Sequence, residues 1–343
     1  QTLTKAIIKA QNASLFDWLK ILYPIWSRIA SAELKSAVKI GLSELMTSGC
    51  TTTSDHLYIF PNGIKLEDEI EVAQTLGVRF HSTRGSMSIG ESNGGLPPDY
   101  LVEDESFIIK DSQDIVSKWH DPSHGSMIRI ALAPCSPFSV SKELMRDTAT
   151  LAREYNVGLH THLAENSDDV EYSKRMFGLT PGQYIEELGW IGKDVWHAHC
   201  VKLNNEEIDL FSRTGTSVSH CPCSNMRLGS GILPLNKMLD KGVNVGLGVD
   251  GSASNDSGNL LNEARQALYL QRVNETNNFY LNARNVLWLA TAGGATALNR
   301  DDIGSIKVGN CADFAIYDSI SLELAGSVED PIGGLIFCGP LKT

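Results

Sequence analysis

The sequence is short of positive charge: 29 Lys and Arg stand against 41 Asp and Glu, a formal net charge of −12. A nucleic-acid backbone or an anionic bilayer needs a concentrated basic surface, so neither is expected as a partner, whereas a small neutral or anionic molecule is. Long apolar runs are missing as well. No stretch reaches the roughly 18–20 residues that cross a bilayer, and the opening QTLTKAIIKA has neither the apolar segment nor the cleavage site of a secretion signal. A cytoplasmic protein is therefore expected. Paired cysteines are the third absence: residues 50, 135, 200, 221, 223, 311 and 338 are an odd set of seven without small-scaffold spacing, which argues against a disulfide framework. Cys221-Pro222-Cys223 has no second Cys or His pair at matching spacing, so it does not read as a structural zinc clip.

What is present is enough for a large core, since 42% of the 343 residues are hydrophobic. Short β-branched segments recur at 49–60, 78–89, 127–138, 157–165, 195–203, 216–225 and 243–254, each running into a polar loop. They read as buried parallel strands. Segments of helical period lie between them, among them 141–155, 204–215 and 234–242, the first opened by Ser141 as N-cap. Such a series of βα units fits either a barrel or a doubly wound sheet. His56, Arg84, Cys135, His162, Glu165, His199, His220 and Asp250 fall at or near the C-terminal ends of these strands. In a barrel those ends converge on one mouth, whereas an open sheet spreads them along an edge, so a (β/α)8 TIM-like barrel is expected. One strand is short of the eight: the chain enters a helical pattern at 14–29 with none before it. Residues 1–300 are read as the barrel lacking its first strand. Residues 301–343, turn-rich and then briefly apolar, are read as part of a C-terminal β-sandwich.

The stretch GLHTHLAEN (158–166) places His160 and His162 on one face of a strand, with Glu165 where the strand gives way to a loop. Alone it fits a hydrogen-bonded core histidine as well as a ligand. Joined by His199 in HAHC, His220 in SHCPCSN and Asp250 in GLGVDGSASND, it becomes a series with members at successive strand ends. A catalytic zinc needs several such donors and one open position for water, whose pKa it lowers, and a carboxylate beside it can move protons.

On these motifs the chain resembles the amidohydrolase superfamily, in its cytosine/guanine deaminase and chlorohydrolase branch, over essentially its whole length. A narrower likeness, to bacterial 8-oxoguanine deaminases, rests on SDHLYIFPNG (54–63), RGSMSIGESNGGLPPD (84–99) and APCSPFSVS (133–141). The resemblance implies one zinc, or another divalent metal, per subunit. It makes His162 and Asp250 metal ligands, Asp250 also a proton acceptor, Glu165 the proton shuttle and His199 the imidazole that holds the attacking water. Gln1 matches the last residue of the family's H-x-H-x-x-Q, so two further histidine ligands are expected upstream of residue 1. Gln1, Arg84 and Cys135 are candidates to bind the substrate, and His220 to orient the groups around the metal or, alternatively, to touch the substrate itself. His160 and His197 are assigned to packing or to hydrogen bonds behind the ligands. The implied activity is hydrolytic deamination of an amino-substituted heterocycle, 8-oxoguanine to uric acid and ammonia. Alternatives are guanine, isoxanthopterin or cytosine-like rings, triazine dechlorination, or a metal-free binding or scaffold protein. A homo-oligomer is expected on general grounds.

Overall fold

A computed structural model describes residues 1–275, 281–339 and 343. Seven strands form one parallel sheet in sequence order: β1 (Thr52–Leu57), β2 (Arg79–Ser86), β3 (Ile128–Pro134), β4 (Gly158–Leu163), β5 (Val195–His199), β6 (Ser217–His220) and β7 (Val245–Leu247). Each lies inside one of the seven segments expected from the sequence. The sheet is curled into a half-barrel with helices on its outer side, the TIM-like arrangement.

Local chemistry explains the connections. The Lys142–Glu154 helix starts where Ser141 Oγ accepts the Leu144 N–H at 2.9 Å, and it buries Leu144, Met145, Thr148, Ala149 and Ala152 along one face. That face joins a continuous outer core with Phe80, Ile130, Leu159, Val195, Val218 and Val245 from the strands. Each such side chain contributes about 1.5–3 kcal/mol of apolar burial.

The Leu15–Trp26 helix behaves differently. Its apolar face, Leu15, Trp18, Leu19, Leu22, Tyr23 and Trp26, packs outside the main core in a second cluster with Tyr58, Met87, Cys135, Phe138 and Leu228. Those partners sit at or beyond strand ends, so the helix lies across the mouth of the half-barrel.

The short strand read from the sequence within 304–318 is not formed. Among the described residues no strand follows Leu247. The segment instead runs without regular structure near the starts of β1 and β2, held by the Arg79–Asp313 ion pair at 2.9 Å and by the Tyr317 hydroxyl donating to Ser48 O at 2.8 Å. A lone strand has no neighbour to satisfy its backbone groups, which is why an apolar run alone did not make one.

Candidate active site

Strand alternation sorts the histidines. In β4, Leu159 and Leu163 join the outer core, while His160 and His162 turn into the barrel, their rings 6.1 Å apart. His160 is a packing residue: it stacks on Trp196 at 5.0 Å and its Nδ1 bonds Trp196 O at 3.0 Å. His162 Nδ1 donates to Cys135 O at 2.6 Å, which fixes its tautomer and leaves Nε2 as a free donor atom facing the mouth.

In β5 alternation alone would send His199 the way of His197, which lies against Phe211 in the outer layer and bonds Trp190 O. A left-handed backbone at His199, φ 69°, turns the ring back inward. Its Nδ1 then donates to Asn225 Oδ1 at 2.9 Å, so again Nε2 faces the site. Asp250, just past β7, also has a left-handed backbone, φ 58°. Such residues cost of order 1–3 kcal/mol each and persist only where the surroundings fix them. One donor atom from each of His162, His199 and Asp250 lies within 4.8 Å of the other two, and this is the one such group among the described residues.

Two imidazoles and a carboxylate suit zinc. Burial and the neighbouring His199 hold the His162 ring below its ordinary pKa, so it is neutral and ready to coordinate. Burial pushes the Asp250 carboxyl up, but His199, His162, Ser224 and the Gly251 N–H together hold it below the usual range. Ser254 Oγ adds a bond to Asp250 at 2.9 Å. Glu165 is the opposite case: burial and the nearby Asp250 charge push its carboxyl up to about 8. It sits 3.5 Å from His199 Nε2, with Ser230 Oγ at 3.3 Å and its backbone N–H on Asp169 at 3.0 Å. Two carboxyls a short way apart are thus held in different protonation states, the arrangement acid–base catalysis needs.

These groups line a small pocket, about 30 Å³, together with Gln1, Leu15, Trp18, Leu19, Tyr58, Cys135, Phe138 and Leu228. Gln1 and Cys135, both singled out from the sequence, are there. Gln1 fits only because residue 251 is glycine: a Cβ at Gly251 would fall 1.8 Å from Gln1 Oε1. Burial pushes the Cys135 thiol up to about 12, so it meets a ligand as a neutral group.

Arg84 is not brought to the site. Its guanidinium is fully buried against Glu103 (2.9 Å) and Asp111 (2.6 Å), stacked 4.1 Å over the Phe60 ring, and bonded to Gly85 O. It shares parity on β2 with Phe80 and Ser82, which face the helices, so it serves the outer layer. His220 is fully buried at the end of β6, and no protein group among the described residues hydrogen-bonds either of its ring nitrogens. His56, set aside from the sequence, lies in the barrel with its ring stacked on His162 at 4.8 Å. Ser224, Asn225 and Ser230 were also missed. All three lie in HCPCSNMRLGSG, where hydrogen-bonding residues beside a matched histidine were the available signal.

Donors converging at the mouth of a parallel barrel, with a neutral acid beside them, place the protein among metal-dependent barrel hydrolases. The chain belongs to the amidohydrolase family, which it matches over residues 4–333. It is 45% identical to 8-oxoguanine deaminase of Pseudomonas aeruginosa, over 98% of this chain and 75% of that protein. It is 34% identical to isoxanthopterin deaminase of an unknown prokaryotic organism, over 99% of this chain and 74% of that one. Among solved structures it resembles the zinc complex of atrazine chlorohydrolase from Arthrobacter aurescens TC1, with a TM-score of 0.94 and 33% identity, covering 99% of this chain and 77% of that one. Zinc is the cofactor that the His162, His199 and Asp250 group and these zinc-bound neighbours support. No described helix is long and apolar enough to cross a membrane.

Proposed function

We propose that the protein hydrolyses 8-oxoguanine to uric acid and ammonia. The observation that carries this reading is the buried Glu165 carboxyl, its pKa raised, beside the His162, His199 and Asp250 group in a pocket walled by Leu15, Trp18, Leu19, Phe138 and Leu228. His162 and Asp250, with the two histidines expected upstream of Gln1, would hold zinc, which would lower the pKa of the attacking water. Asp250, kept anionic by its neighbours, accepts a proton from that water. His199, its ring fixed by Asn225, hydrogen-bonds the water through Nε2. Glu165 gives its proton to the ring nitrogen next to the carbon that bears the amine. A bond forms from the water oxygen to that carbon, Glu165, now anionic, carries the proton of the new hydroxyl to the amine, the carbon–nitrogen bond breaks, ammonia leaves, and the proton held by Asp250 returns Glu165 to its neutral form. Gln1 and Cys135 contact the heterocycle, between walls of Trp18 and Phe138. The choice of 8-oxoguanine rests on the 45% likeness to the Pseudomonas aeruginosa deaminase.

The test is ammonia release from 8-oxoguanine, guanine, isoxanthopterin, cytosine and an aminotriazine by zinc-loaded full-length protein. The highest kcat/KM is expected for 8-oxoguanine. A clear preference for another ring would replace the substrate and keep the chemistry. We further propose a cytoplasmic protein without a nucleic-acid partner, on charge and composition, a homo-oligomer on general grounds, and that 301–343 is a unit appended to the barrel of 1–300.

A further inference from the structure

We propose that Glu263 is a positioning residue that clamps together, from behind the site, the loop presenting Asp250 and the short helix presenting the partner of His199. Glu263 lies on the Leu260–Asn274 helix and is fully buried. Its Oε2 accepts the backbone N–H of Cys223 at 3.0 Å, in the first turn of the Pro222–Arg227 helix. Its Oε1 accepts from Asn255 Nδ2 at 2.7 Å, at the end of the short Ser252–Asn255 helix that follows β7. The same Asn255 amide nitrogen donates its other hydrogen to Val249 O at 2.7 Å, the carbonyl of the peptide that leads into Asp250.

What hangs from each arm makes the clamp matter. The Pro222–Arg227 helix supplies Ser224, whose hydroxyl reaches Asp250 Oδ2, and Asn225, which takes the His199 Nδ1–H. Six residues form too short a helix to hold itself, and the Cys223 N–H is one of the first-turn donors that no intrahelical acceptor serves. On the other arm, Asp250 has a left-handed backbone that its own loop does not favour. One carboxylate therefore registers the helix carrying Ser224 and Asn225 against the loop carrying Asp250. Only a carboxylate suits the place, because both partners are donors. An amide could accept from one of them and would face the other with N–H against N–H.

A second buried carboxylate provides the contrast. Glu207, 4% exposed, accepts the Gly182 and Asn204 N–H groups, each at 2.7 Å, and so ties two outer helices with the same chemistry away from the site. If Glu263 were merely a buried cap of this kind, removing either would have the same consequences.

The catalytic half of this inference rests on the hydrolase reading above, while the metal half rests on the donor group alone. The experiment compares full-length wild type with Glu263→Ala, Glu263→Gln, Asn255→Ala and Glu207→Ala. It measures zinc affinity by competition with a chromophoric chelator, the melting temperature without metal, and kcat and KM at saturating zinc. Loss of a residue that holds a metal ligand in place weakens binding about 10–100-fold, so Glu263→Ala and Asn255→Ala are expected in that range. Their kcat falls by about tenfold or more with KM nearly constant. Glu263→Gln, which keeps one acceptor, falls between them and wild type. Glu207→Ala lowers the melting temperature and leaves zinc affinity unchanged. Zinc affinity within about twofold of wild type in both Glu263→Ala and Asn255→Ala, or a loss no larger than that of Glu207→Ala, overturns the proposal. Asn255 is only half-buried, so its variant decides between the outcomes if Glu263→Ala does not fold. Weakened zinc in a protein that turns over none of the heterocycles would sink the deaminase reading and leave the clamp standing.

Discussion

Glu165 trades stability for reactivity. Unfolded, its carboxyl releases a proton near the ordinary value of 4.5; folded, burial and Asp250 raise that to about 8. Between these values the native state binds the extra proton, so stability of the metal-free protein falls as pH rises, by at most about 1.4 kcal/mol per pH unit. Replacing Glu165 by Gln, which never ionises, should stabilise the metal-free protein at pH 8 on the order of 1–3 kcal/mol and change it little at pH 4.5. Urea melts at the two pH values would read this. An equal shift at both would mean that the carboxyl is not held neutral in the folded state. The same variant should lose essentially all turnover and keep its zinc, because Glu165 moves protons without binding metal. Metal analysis separates it from His162→Ala and Asp250→Ala, where zinc and activity should fall together.

The seven strands are legible as β-branched runs ending in polar loops, and their parallel order follows from the helices between them. Alternation within a strand carries further information, which places Arg84 correctly where its position at a strand end does not. On β2, Phe80 packs in the outer core and Ser82 bonds Glu69, so Arg84, four and two places further on, has to face the helices too. His199 is the reverse case: parity with His197 points it outward, and only its own left-handed backbone at the last position of β5, invisible in sequence, returns it to the site. Matched motifs find it where alternation fails. The strand expected within 304–318 does not form because pairing partners, unlike apolar runs, do not show in a linear pattern. Arg84→Ala should therefore destabilise the protein by about 3–5 kcal/mol, by leaving Glu103 and Asp111 without their cation, while zinc affinity stays at the wild-type value. A weakened zinc site in a folded Arg84→Ala protein would return that residue to the active site.

For the molecule as a whole, the outer core closes over the strands, whereas residues 304–328 carry exposed apolar side chains, Val308 at 100% and Ile320 at 90% among them. With few contacts beyond Asp313 and Tyr317, this segment should open at low free-energy cost. Limited proteolysis is expected to cut first within 304–328 and to leave residues 1–300 as the resistant product. First cuts between the strands would show that the barrel is the looser part.

The two apolar clusters also divide what selection can change. His162, His199, Glu165 and Asp250 depend on strand register, left-handed backbone and buried partners, so substitution there forfeits the reaction itself. The wall facing the ring comes from elsewhere: Leu15, Trp18 and Leu19 from a single helix, Phe138 and Leu228 from two loops, packed together in a cluster apart from the main core. Mutations in that wall can reshape the chamber while the reacting groups keep their places. New substrates should accordingly be reached by drift at the mouth under an inherited chemistry, and a laboratory selection for another heterocycle should collect its first changes at these five positions and Cys135.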